Sequence, residues 1–103
     1  MGLNAEQIEE LDDKHEDEYL DWEKVPAERR LHERRDIHVF LMLDKCFPDF
    51  GKQHDMVAGA DHDEIYLGAD PEDENTLTEE ILVDMIRAGL RFDGGTGGFA
   101  MFV

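Results

Sequence analysis

The chain has 103 residues, 41% of them apolar, and sets 27 Asp and Glu against ten Lys and Arg for a formal net charge of −17. That length predicts one domain, which buries roughly 65% of the surface its unfolded chain exposes and holds a core without staples. A field of this sign repels nucleic acid and anionic membrane, so neither is expected as a direct partner, and it favours a basic protein.

No run approaches the ~20 apolar residues of a membrane span, and the first residues lack the basic and apolar regions of a leader peptide. A lone Cys46 forms no internal disulfide and suits a reducing compartment. The expectation is a cytoplasmic protein. The acids are unevenly placed: residues 1–24 hold ten acids and two bases, and residues 61–80 hold nine acids and no Lys or Arg.

In chain order, Asn4 followed by Gln7 reads as a capping box, with Leu3 and Ile8 placed as a hydrophobic staple. Ile8, Leu11, His15, Tyr19 and Trp22 then recur at helical spacing, predicting one amphipathic helix over 5–24, ended by Pro26. Asp36 reads as the N-cap of a second helix over 37–47, apolar nearly all round and therefore central, which Pro48 ends. Residues 56–60 are too short a run to assign. Residues 64–70 read as a strand, with Ile65 and Leu67 on one face and Tyr66 and Gly68 on the other.

Thr78 caps a third helix over 78–89 with Glu79 and Glu80 in its first turn. Its stripe is Ile81, Leu82, Met85, Ile86 and Leu90, with Gly89 at the left-handed C′ position and Leu90 folding back on Met85. The glycine-rich run 94–98 leads into a last apolar strand, 99–103, either as the turn of a hairpin from 90–92 or as a plain connection. Together these elements predict an α+β domain, three helices packed on a small two- or three-stranded sheet from the C-terminal half.

The motifs carry little chemistry. The run 94–98 enters a strand rather than a helix N-terminus and lacks a following Lys-Ser or Lys-Thr, so it is not a phosphate loop. His54, Asp61, His62 and Asp63 form the best candidate metal cluster, for Zn²⁺, Mn²⁺ or iron, although their spacing matches no fixed helical pair. Cys46 lies near a helix C-terminus, which disfavours a thiolate, and reads as core. Arg29, Arg30, Arg34 and Arg35 make the one basic patch, expected to pair with the chain's own acidic first helix or with an acidic groove of a second copy.

Three readings follow. The first is a non-enzymatic interaction module, of the inhibitor or accessory kind common in phages, that engages a basic or nucleic-acid-binding protein by imitating phosphates. Its contacts would be Glu9, Asp12, Asp13, Glu16 and Asp17, with Glu72, Asp73 and Glu74. The second is a metal-binding protein or metal-dependent enzyme on the His54 and His62 cluster; apart from that metal no cofactor is expected. The third is a self-assembling protein, a homodimer through the strand 99–103 or through the acidic helix and arginine patch.

Overall fold

The computed structural model describes residues 2–48, 50, 56–61, 63–93 and 98–102. Helix α1 spans Ala5–Lys14 and opens as its sequence requires: Asn4 Oδ1 accepts the Gln7 N–H at 2.8 Å, and Gln7 Oε1 accepts the Asn4 N–H at 3.0 Å. Ile8, on its inner face, is fully buried. The helix stops ten residues short of the expected end at 24. Three 3-10 turns follow, at Glu16–Glu18, Trp22–Lys24 and Ala27–Arg29.

The break has a tertiary cause. Leu20 takes a left-handed backbone, φ +65°, and donates its N–H to the Ile86 carbonyl at 3.2 Å. Glu18 meets Arg87 at 2.5 Å.

Helix α2 spans Arg35–Cys46 and buries His38, Val39, Met42, Leu43 and Cys46. Two expectations need correction here. The N-cap is Arg34, and Asp36 lies inside the first turn, accepting the Ile37 N–H at 2.9 Å and pairing with Arg34. Nor is the helix buried all round, since Leu41 is 43% exposed and Asp44 and Lys45 face solvent.

The sheet has four antiparallel strands in the order β1-β2-β4-β3. The unassigned run supplies β1, Val57–Asp61, and β2 is Glu64–Leu67, ending before the expected 70. Strands β3, Leu90–Asp93, and β4, Gly98–Phe102, pair as a hairpin with Asp93 opposite Gly98. The α+β class therefore holds, with the sheet in the C-terminal half. Strand β4 has a neighbour on each side, with Phe99, Ala100 and Met101 buried, so it is a core strand and not the free edge a dimer through 99–103 would need.

Helix α3, Glu79–Arg87, is capped by Thr78 Oγ1, which accepts the Ile81 N–H at 3.2 Å. Gly89 has φ +107°, as its position predicts. Leu90 opens β3 and, 1% exposed, lies in the same buried cluster as Met85. One core joins Ile8 of α1, Leu43 and Phe47 from α2 and its end, Leu82, Met85 and Ile86 of α3, and Leu67, Leu90, Phe99 and Met101 of the sheet. At its centre the Phe47 and Phe99 rings meet edge to face, centroids 5.9 Å apart.

Candidate partner-binding surface

All six arginines are engaged within the chain. Arg29 holds Asp84 through Nε (2.9 Å) and Nη2 (3.2 Å), with Glu80 at 3.8 Å. Arg30 donates to the Trp22 carbonyl at 2.7 Å and lies 4.6 Å over the Trp22 ring. Arg34 pairs with Asp36, and Arg35 donates to the Ala88 carbonyl at 3.1 Å. Arg87 pairs with Glu18 and Asp84, and Arg91 pairs with Glu64.

The basic patch is thus used within the chain, although Arg34 stays exposed, and its partners are not those the sequence suggests. Arg29 and Arg35 reach α3 and the residue after it rather than α1. The reason is position: the segment carrying these arginines runs beside α3 after the turns at 16–24. Four arginines take mainly buried or half-buried acids, Asp84, Glu18, Glu64 and Asp36, while Lys14 and Lys24 pair with exposed Glu79 and with Asp21, and Arg29 also reaches exposed Glu80. Among the described residues the outer carboxylates of α1, of the turn after it and of the 70–74 loop have no ion-pair partner.

Those outer carboxylates are the ones singled out from sequence. Glu9, Asp13, Glu16, Asp17, Glu72 and Glu74 are exposed, and Asp12 and Asp73 are partly buried. They do not form one cluster. Asn75 accepts the Leu3 N–H at 3.1 Å and donates to the Leu3 carbonyl at 2.9 Å, fixing the end of the 70–74 loop at the start of α1. Asp12, Asp13 and Glu16 lie at the other end of that ten-residue helix, ~15 Å away at 1.5 Å per residue.

At that far end they line a cleft of about 410 Å³ with Tyr19, Ile86, Arg91 and Phe92. Asp12 Oδ1 accepts the Phe92 N–H at 3.2 Å, so α1 covers the outer edge of β3. Burial pushes the Asp12 carboxyl above its usual range, and Asp13 and Glu16 push it the same way; the Phe92 amide and Arg91 act against them. Burial likewise raises the Tyr19 phenol, whose hydroxyl oxygen is buried with no hydrogen-bond partner among the described residues. A half-buried carboxylate beside two more, backed by an aromatic wall, is a setting that a cation stabilises.

The remaining predicted sites fare differently. His54 and His62 lie outside the described residues; Asp61 closes β1, and Asp63 is exposed in the turn that follows. Among the described residues no group of three or more His, Cys, Asp or Glu is placed to hold a metal ion. Cys46 is buried, its thiol pushed up by burial, in keeping with a core role. His15 Nε2 sits 2.8 Å from Glu79 and, with Lys14, holds that carboxyl below its usual range.

Sequence reasoning named the acidic rim of the cleft but not Ile86, Arg91 and Phe92 behind it, because no local pattern brings residues 70 to 80 apart together; Tyr19 reads in sequence only as part of a helical stripe. No helix among the described residues is long and apolar enough to cross a membrane. No protein-family model, curated protein or solved structure matches the chain.

Proposed function

We propose that the chain is a single-domain, non-enzymatic interaction module of the cytoplasm that binds a basic protein through its uncompensated carboxylates. The cleft rimmed by Asp12, Asp13 and Glu16 takes a lysine or arginine side chain of that partner. The observation that carries this reading is the internal use of every arginine, which leaves Glu9, Asp13, Glu16 and Asp17 without an ion-pair partner among the described residues. Tyr19 and Phe92 add aromatic surface for the stem of a long cationic side chain.

In its sharper form the carboxylates stand in for nucleic-acid phosphates, and the partner is itself a nucleic-acid-binding protein. The test is fluorescence anisotropy of a labelled oligo-arginine peptide titrated with the protein at 25, 100 and 300 mM NaCl. Affinity falling at least tenfold across that range is expected; absent or salt-insensitive binding would sink the reading.

A further inference from the structure

The sheet has two edges, and they are treated differently. The β3 edge is closed by α1, where Asp12 takes the Phe92 N–H. Strand β1 at the other edge pairs, among the described residues, with β2 alone. Its sequence, Val-Ala-Gly-Ala-Asp, carries none of the lysines or prolines that usually blunt an edge. Met56 and Val57, at its start, are 43% and 41% exposed and adjacent, two of the five exposed large apolar side chains among the described residues. A register shift between Val57 and Gly59 is the only irregularity in its pairing with β2.

The two ends of β1 carry the same charge. Beyond Asp61 comes exposed Asp63. At the opposite end the Gly68 N–H donates to the Met56 carbonyl at 2.9 Å, so exposed Asp70, two residues further on, opens the acidic 70–74 loop near the start of the strand. Four apolar strand residues before Asp61 span ~13 Å, so the edge is an apolar stretch of that length with carboxylates at either end.

We infer that β1 is a docking edge for an extended segment of the basic partner, apolar in the middle and bearing Lys or Arg at each end, added to the sheet as a fifth strand. The inference rests on the basic-partner reading above and says how such a partner is held: main-chain pairing supplies affinity, and the flanking charges set register and choice. A second copy of this chain fits badly. Antiparallel self-pairing about Gly59 sets the Asp63 turn of one copy beside the 70–74 loop of the other, and parallel pairing sets like ends together. Either arrangement opposes carboxylates to carboxylates.

The probe is the peptide Lys-Arg-Val-Thr-Val-Lys-Arg, compared with the same peptide carrying proline in place of its threonine, which keeps every charge but cannot complete a strand. Both are titrated into ¹⁵N-labelled full-length protein at 25 mM NaCl, with amide exchange followed and the oligomeric state measured by sedimentation. The expected result is slowed exchange of β1 amides between Val57 and Asp61 with the first peptide only, and at least tenfold weaker binding of the proline peptide. Equal affinities with shifts confined to Asp12 and Phe92 would overturn the strand-addition inference while leaving the basic-partner reading standing. Binding of neither peptide would remove both. A dimer whose β1 amides are already protected would hand the edge to a second copy.

Discussion

Arg29 and Asp84, 55 residues apart in the chain, form a two-pronged ion pair in which the carboxylate is only 4% exposed. Arg87 adds a second guanidinium at 3.6 Å. The pair fastens the turn-rich segment after α1 to the middle of α3, a tie that packing of small 3-10 turns does not provide. Its strength is geometric: two parallel N–H···O bonds to a carboxylate that has lost its water.

Replacing the carboxylate removes both prongs and leaves Arg87 with Glu18 alone. Asp84→Ala is expected to destabilise the fold by about 2 kcal/mol, within the range for a buried charged hydrogen-bond partner. Urea denaturation followed by Trp22 fluorescence measures it, and an unchanged midpoint would show the pair to be incidental.

Asn75 is 5% exposed and fully used: it accepts the N–H groups of Leu3 and Leu77 and donates to the carbonyls of Leu3 and Asp73. Asn75→Asp keeps the shape but turns two donations into repulsion between oxygens. A loss of roughly 2 kcal/mol is expected, with faster amide exchange at Leu3 and Leu77 as the local sign that the clamp has opened.

His38 gives the fold a pH dependence. It is fully buried; its Nδ1 accepts the Leu31 N–H at 3.0 Å, and its Nε2 has no hydrogen-bond partner among the described residues. Burial, reinforced by Arg30 and opposed by Asp84, lowers its pKa below 6.5. The unfolded chain therefore takes up the proton first. The contribution is fully present above pH 6.5 and is lost as pH falls from 6.5 through the folded value, by no more than about 1.4 kcal/mol per pH unit. His38→Asn keeps an acceptor for Leu31 without titrating. Its urea midpoint should change less between pH 7 and 5.5 than that of the parent, and parallel curves would contradict the assignment.

Asp12 separates stability from binding. Its carboxyl is pushed up mainly by burial, so at neutral pH its charge works against the fold. Asp12→Asn keeps an oxygen for the Phe92 N–H and removes the charge. An equal or higher melting temperature at pH 7 is expected together with weaker oligo-arginine binding. A variant that lost stability and kept its affinity would refute the role given to the cleft.

The parts legible in sequence are those decided locally. Asn4, Thr78 and Gly89 mark helix ends because their side chains or backbone freedom act within a few residues. The end of α1 was not legible, since Glu18–Arg87 and Leu20–Ile86 decide it across more than 60 residues. Asp36 stands where a cap is expected before an apolar run, yet the helix begins two residues earlier than expected, at Arg35, and Asp36 serves Ile37 and Arg34 instead. Strand β1 carries only small residues around Gly59, a composition with no periodicity, and pairing with β2 alone defines it. The acids Asp12, Asp13 and Glu16 were legible as charge; the cleft they rim depends on β3 and α3 arriving from the far end of the chain.

The central claim is that a particular acidic surface, and not net charge alone, binds the basic partner. The most direct measurement compares two triple variants of equal charge at 50 mM NaCl, Asp12→Asn/Asp13→Asn/Glu16→Gln and Glu23→Gln/Glu28→Gln/Glu33→Gln, in affinity for the same oligo-arginine peptide. The first is predicted to weaken binding at least tenfold more than the second. Equal losses would show that the peptide responds to overall charge, and the cleft would have no claim to be the site.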